Sequence, residues 1–477
     1  MDKWENGHGR RVDRCHRGRV HRFASVHPPA ARGPFGTRLD LFDRSGCFGS
    51  GLAYGTKHAG HLLNVPAGRM SAFPDRPRDF LTWLERQPCH VLAGVAPAEN
   101  AFVPRHLYGA YMRDLLLDAR CGAAADRLIL QRDGVVAIED DGSRLTLRLF
   151  SGGSLRVDAA VMAGGNIPAS PVIPDNAALC RSQRWQPDPW ADDALCGLDP
   201  AAPVLLIGTG LTMVDSTISL LAQGHVGPIH ALSRRGLLPR AHTALPATVP
   251  TPPRPYPASL RALTRLLRQQ AQHVIAKGQP WQTVIDAMRP AAQELRQTMT
   301  LKDRARFLRH MRPWWDVHRH RMAPTVATQI ERALARRQLR VHPGRVIGCT
   351  LEDGAVDVRF LPRGGGDPIA LRVARVVNCC GLASDITTVT DPLLCSLLRG
   401  GLARPDPLRL GLDVTPAGAL CNRNGIASGR LFAAGSLTRG VFWEITAVPD
   451  LRRQCEAIAR HLGMRLQPAG RQADELV

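Results

Sequence analysis

Long apolar runs are missing from this 477-residue chain. No stretch of about 18 apolar residues occurs, so no membrane-spanning helix is expected. The first residues are polar and basic and lack an apolar core, so no secretory signal is expected. No two of the twelve cysteines are spaced CxxC. The adjacent pair Cys379–Cys380 lies in an apolar run, which fits neither a zinc site nor a disulfide framework. Reduced thiols in a cytoplasmic protein are the expectation. Lysine is nearly absent, with Lys3, Lys57, Lys277 and Lys302 alone among 62 basic residues. That arginine bias, with abundant Ala, Gly and Pro, has the look of GC-rich coding. No nucleophile–base pair and no metal-ligand set stands out, which agrees with chemistry carried by a bound cofactor. With 44% hydrophobic and 22% charged residues, the chain is an ordinary globular sequence, not a disordered one.

What is present begins with charge. The net charge is +21, and residues 251–340 hold 18 Lys/Arg against 5 Asp/Glu. That segment should attract an anion: a nucleotide phosphate, an acidic substrate or nucleic acid. Against nucleic acid stands the lack of any recognised binding module.

The pattern along the chain is α/β. Leu39–Asp43 reads as a short strand, followed by a glycine-rich loop from Gly46 to Gly55. Residues 77–86 and 105–119 read as helices, and 127–149 as strands around an Asp140-Asp141-Gly142 turn. A small buried-type strand at 159–163 runs into Gly164-Gly165. Residues 168–200 read as a proline-rich linker. Residues 258–340 are helical in pattern, strands return at 346–360 and 369–378, and 431–463 reads strand, turn, helix.

The strongest motif is 204–235. The apolar strand Val204-Leu205-Leu206-Ile207 runs into Gly208-Thr209-Gly210, then a helical pattern, then a second strand ending at Ser233-Arg234-Arg235. This is the order of a dinucleotide-binding βαβ unit. Gly208 permits the tight turn, Gly210 the close approach of a pyrophosphate, and the helix N-terminus offers N–H groups to it. The third glycine position holds Met213, which implies looser helix–strand contact. Where an NAD site has a carboxylate, this chain has Ser233, Arg234 and Arg235. Two guanidiniums suit a 2′-phosphate, so NADPH is expected over NADH. Asp43, closing a second strand, is what an adenosine ribose needs, which places a second nucleotide, FAD, in the first part of the chain. A βα unit should then occupy 1–36. No apolar strand precedes Gly7-His8-Gly9, and Arg, His, Pro and Gly dominate. The letters have the character of GC-rich coding read out of frame, with the frame restored just before Leu39. The first strand of that sheet is therefore expected to be missing or badly formed, leaving 39–43 without a partner.

From Gly49 onward the chain resembles the FAD/NAD(P)-binding protein family of bacterial flavin oxidoreductases, distantly similar to N-hydroxylating and flavin-containing monooxygenases. The motifs are Gly-Ser-Gly-Leu-Ala-Tyr (49–54), Leu-Leu-Asn-Val-Pro-Ala (62–67), Pro-Arg-His-Leu-Tyr-Gly-Ala-Tyr (104–111) and Ile-Gly-Thr-Gly-Leu-Thr-Met-Val-Asp (207–215). Further on stand Ser-Arg-Arg-Gly-Leu-Leu-Pro (233–239), Val-Asn-Cys-Cys-Gly (377–381) and Leu-Thr-Arg-Gly-Val-Phe-Trp-Glu-Ile-Thr-Ala (437–447). The resemblance implies FAD in a discontinuous domain and NADPH in an inserted one. It departs in three places: the FAD glycine loop is absent from 1–36, Gly435-Ser436 stands for the usual Gly-Asp, and Ala163-Gly164-Gly165 for Ala-Thr-Gly.

The expected architecture is two Rossmann-like domains: FAD-binding 1–170 and 376–477, NAD(P)-binding 200–375 with a helical insertion at 258–340. The residues implied to hold cofactor are Asp43, Gly49, Gly51, Asn64, Pro66, Arg105, Gly164, Gly208, Gly210, Ser233, Arg234, Arg235, Gly381 and Gly435. Trp443 and Glu444 join them, read as opening the last helix beside the flavin. Arg319 and His320, beside Trp314 and Trp315, are weak catalytic candidates. The expected activity is hydride transfer from NADPH to flavin in an oxidoreductase, with monooxygenase as its specific form, acting on a small molecule that the basic insertion suggests is anionic. The rival readings are a degenerate flavoprotein serving as an NADP-binding or interaction protein, and a basic nucleic-acid-binding protein.

Overall fold

The computed structural model describes residues 22–25, 38–92, 95–122, 126–167, 177–243, 255–257 and 259–465. Two large sheets and one small one carry the chain. The first sheet has the strand order Ala419–Cys421, Ala427–Ala433, Ala160–Met162, Arg22–Ser25, Leu39–Asp43, Leu128–Gln131. The second is Ile369–Val373, Ala355–Pro362, Leu339–Glu352, Ile229–Ser233, Val204–Ile207, Arg375–Asn378, Trp185–Gln186. Val135–Asp140, Leu145–Leu149 and Ser154–Val157 form an antiparallel meander, and Gly142 turns its first hairpin with φ +88°. The α/β, two-nucleotide-domain expectation holds.

The central strands are short and buried on both faces, apolar throughout in Val204–Ile207 and apolar at Val376 and Val377 in Arg375–Asn378. Val204–Ile207 is buried at every position, as is Arg375–Asn378. Strand Arg375–Asn378 pairs in parallel with Val204–Ile207, so the second sheet extends past the expected boundary at 375. Trp185–Gln186, inside the stretch read as linker, adds the last strand. The helical insertion runs from Leu260–Ala276 through Pro324–Ala335, before strand Leu339–Glu352. Its last helix packs Val326, Ala327, Ile330 and Ala333 into the second-sheet core.

The first sheet departs from expectation at its centre. Strand Leu39–Asp43 does not lack a partner: Arg22–Ser25 lies between it and Ala160–Met162, antiparallel to both. Leu39–Asp43 pairs in parallel with Leu128–Gln131, and Ala160–Met162 with Ala427–Ala433. A single reversed strand thus fills the middle of a parallel set and satisfies the backbone groups of its neighbours. The remainder of 1–36, including Gly7-His8-Gly9, lies outside the described residues, as does most of the proline-dense boundary at 246–257. No helix among the described residues is long and apolar enough to cross a membrane.

Candidate active site

The second sheet carries a strand, a glycine turn and a helix in the order of a phosphate-binding unit. Gly208 ends its strand at φ +117°, and a Cβ there would stand 2.4 Å from the Cys379 carbonyl oxygen. Glycine alone allows that approach. Gly210 caps helix Leu211–Ala222, and a Cβ on it would meet nothing within 4 Å. Open space therefore lies over a helix N-terminus, where backbone N–H groups and the helix dipole favour a pyrophosphate. Met213, in place of the third glycine, is fully buried and accepts a bond from Thr217 Oγ1 at 3.4 Å. Its thioether fills the helix–sheet gap, so the contact is not the loose one expected.

Ser233 is engaged internally. Thr209 Oγ1 donates to the Leu237 carbonyl at 2.6 Å, so the Ser233 hydroxyl donates to Thr209 at 2.8 Å and accepts from Gly236 N at 3.1 Å. It locks the end of the second strand to the glycine loop instead of facing a ligand. Arg234 is exposed and Arg235 half-buried, and among the described residues no carboxylate pairs with either.

The first sheet offers less. Asp43 closes its strand at the carboxyl edge and is fully buried, but its Oδ1 accepts from Ser45 N at 2.9 Å and Ser45 Oγ at 2.6 Å. Gly49 and Gly51, at φ +93° and +61°, turn the following loop. Gly164 and Gly165 follow strand Ala160–Met162, and the Gly165 carbonyl accepts from Ser436 Oγ. Gly435, at φ +74°, donates its N–H to Gln454 Oε1 at 2.8 Å. Gly381, at φ +82°, follows strand Arg375–Asn378. Gly49 and Gly51 follow strand Leu39–Asp43, Gly164 follows Ala160–Met162 and Gly435 follows Ala427–Ala433, all strands of the first sheet, whereas Gly381 leaves a strand of the second. Among the described residues no pyrophosphate loop is formed. In a regular unit the chain leaves the first strand at the carboxyl edge, through glycines, into a helix. Here Arg22 pairs with Asp43 and Ser25 with Asp40. Ser25 therefore ends this strand at the opposite edge. The described residues therefore fit NADP at Gly208–Gly210 and do not form the FAD pyrophosphate loop.

The two domains meet through a buried ion pair that sequence reading did not find. Arg105 Nη1 lies 2.8 Å from Asp215 Oδ2, and Arg105 Nε donates to the Leu62 carbonyl at 3.0 Å. Arg105 was expected to hold a cofactor; its guanidinium instead grips the second helix turn of the NADP unit. Burial pushes the Asp215 carboxyl up to about 6, and Arg105 opposes the shift. His61 Nε2 contacts the Asp215 carbonyl at 3.1 Å and Ser219 Oγ at 2.8 Å, while burial drives its pKa down to about 4, which keeps it neutral. Asn64 gives its carbonyl to His242 at 3.0 Å, and Pro66 precedes the helical turn Ala67–Arg69. The signal for this junction was the aspartate at position 215 of the quoted motif, polar on an otherwise buried helix.

Trp443 and Glu444 do not open the last helix, which begins at Val448. They lie in the preceding turns and dock the insertion. Glu444 Oε1 accepts from Trp315 Nε1 at 2.7 Å, and its Oε2 is 3.0 Å from Arg319 Nε. The Arg319 N–H is not aimed at that oxygen, which makes the contact a charge pairing. Burial works to raise the Glu444 carboxyl, but Arg319, His320, Trp315 and Arg289 outweigh it and hold it below the usual range. Arg289 reaches Asp450 at 3.5 Å. Arg319 is thus committed to holding the insertion in place, with half-buried His320 behind it, its pKa lowered by burial.

Residues 27–167 match a family model described as FAD-NAD(P)-binding. An L-aspartate N-monooxygenase (nitrosuccinate-forming) of Streptomyces cremeus is 29% identical over 230 residues, covering 40% of this chain and 34% of that protein. The match thus spans about a third of the relative's length. The ornithine hydroxylase of Pseudomonas aeruginosa superposes with a TM-score of 0.59 at 14% identity, covering 89% of this chain and 92% of that one. The L-lysine 6-monooxygenase of Pseudomonas syringae gives 0.57 at 16% identity, covering 86% and 88%. The fold is that of two-domain flavoproteins binding FAD and NADP.

Proposed function

We propose that this protein is an NADPH-using flavin oxidoreductase of the monooxygenase kind. The carrying observation is the Gly208–Gly210 cradle, open over a helix N-terminus, with Arg234 and Arg235 unpaired by any described carboxylate. The relative and the superposing structures named above, which act on aspartate, ornithine and lysine, support the oxygenase form. Flavin, when held, supplies the chemistry of accepting reducing equivalents from NADPH. This chain's residues do the rest. The cradle binds NADPH, the arginines select its 2′-phosphate, and the Arg105–Asp215 pair fixes the angle between the two domains. The substrate is a small molecule of anionic character, drawn by the basic insertion.

The test is spectroscopic. Purified protein is supplied with excess FAD under anaerobic conditions, and NADPH is added. Bleaching of the flavin band with NADPH, and far slower bleaching with NADH, is expected. No bleaching with either overturns the reading. The reversed strand Arg22–Ser25 favours a second reading: a flavoprotein that holds FAD weakly and acts only when free flavin is plentiful. Purification without a yellow colour, with bleaching restored by added FAD, distinguishes the two.

A further inference from the structure

The helical insertion encloses a cavity of about 700 Å³. Its walls are mostly carbon, with Trp281, Met288, Met311, Trp314 and Trp315 from the insertion and Trp443 from the first domain's return. Methionine and tryptophan give an adaptable, strongly apolar surface. Ile275 and Trp314, 55% and 43% exposed, also line the cavity and leave apolar surface open to solvent. Among the described residues no Asp or Glu lines it, and the Lys/Arg residues of its wall are Arg268 and Arg296.

Arg296 is the group that does not belong in such a wall. It is 3% exposed, and its Nε donates to the Gly440 carbonyl at 3.2 Å. Neither terminal nitrogen has a hydrogen-bond partner. The guanidinium lies 5.4 Å from the Trp443 ring centre, with those of Arg312 and Arg439 at 5.6 and 5.3 Å from the same ring. Burial, then Arg304 and Arg439, push its pKa down to about 10 against the pull of Asp406. Asp406 is itself engaged, accepting from Leu408 N and Leu410 N. A buried cation with unused donors is costly until an anion reaches it.

We propose that this cavity binds an amphiphilic monoanion, with a long aliphatic or aromatic body among the tryptophans and methionines and a carboxylate at Arg296. A cationic end would find no carboxylate in the wall. The identity of this ligand as the substrate rests on the functional reading above; its binding does not.

The experiment uses the full chain and three probes of one length, kept below micelle formation: dodecanoate, dodecanol and dodecylamine. Binding is read by tryptophan fluorescence and calorimetry. Dodecanoate is expected to bind at least about tenfold more tightly than dodecanol, the effect of one charge-assisted contact, with dodecylamine weakest. Arg296→Met should erase the preference for dodecanoate while keeping dodecanol binding. Ala271→Trp, which fills the cavity, should remove binding of all three. NADPH binding, measured separately on each variant, reports that the fold is intact. Dodecylamine binding as well as dodecanoate, a preference that survives Arg296→Met, or no binding of any probe overturns the proposal. Loss of NADPH-driven flavin bleaching with the dodecanoate preference intact overturns the functional reading alone.

Discussion

The two nucleotide units of this chain differ in the direction of one strand. In the second unit, Ile229–Ser233 runs parallel to Val204–Ile207, register Ile229 to Val204 through Leu232 to Ile207. The chain leaves Val204–Ile207 at the carboxyl edge, turns at Gly208 and enters a helix. In the first unit, Arg22–Ser25 runs against Leu39–Asp43, register Arg22 to Asp43 through Ser25 to Asp40. The central position is filled in both sheets, and the backbone bonds of the neighbours are made in both. What differs is the edge at which the strand ends: Ile207 leads into glycines and a helix N-terminus, while Ser25 ends at the opposite edge of its sheet. Any short segment that tolerates extended backbone can complete a sheet; only a forward strand with the right turn makes a phosphate site. A complete row of strands is therefore no sign of a ligand loop beside it.

The largest expected effect comes from repairing the weak unit. Replacing residues 1–37 with a regular strand, glycine loop and helix should raise FAD affinity by about 3–6 kcal/mol, two charge-assisted bonds at roughly 1.5–3 kcal/mol each. Quenching of flavin fluorescence reads this, and an unchanged Kd would break the comparison. Next is the link between the units. Arg105→Met leaves Asp215 buried without its cation and should cost about 3–5 kcal/mol of stability, seen as a shifted denaturant midpoint; a loss under about 1 kcal/mol would contradict the pair's role.

Within the strong unit, the two glycines should separate stability from binding. Gly208→Ala forces a Cβ against the Cys379 carbonyl at a positive φ, and should lower stability by about 2–4 kcal/mol. Gly210→Ala meets no protein atom, so stability should hold within about 0.5 kcal/mol while NADPH binding weakens. Thermal unfolding and NADPH titration on both variants check the split, and equal stability losses would undo it. The smallest effect is selectivity. Arg234→Asp with Arg235→Asp should weaken NADPH by about 1–3 kcal/mol and leave NADH nearly unchanged. A matching loss for NADH would remove these residues from the 2′-phosphate.

Much of this was legible in the sequence. The 204–235 unit could be read because its signals are local: four apolar residues, two glycines and a helical period in continuous order. The helical insertion and the Asp140-Asp141-Gly142 turn were legible for the same reason. The role of Ser233 was not, because the hydroxyl's partner, Thr209, comes from a neighbouring turn. Glu444 read as a helix start because acidic residues favour that place, but its partners Trp315 and Arg319 lie more than a hundred residues earlier. The reversed strand was hidden because Arg-Phe-Ala-Ser carries no direction in its letters.

The most direct test is a paired titration of the unmodified chain, freed of nucleotide, with NADPH and with FAD. The account predicts stoichiometric, tight NADPH binding alongside FAD binding that is weak and lost on desalting. Tight, one-to-one FAD that survives desalting would contradict it.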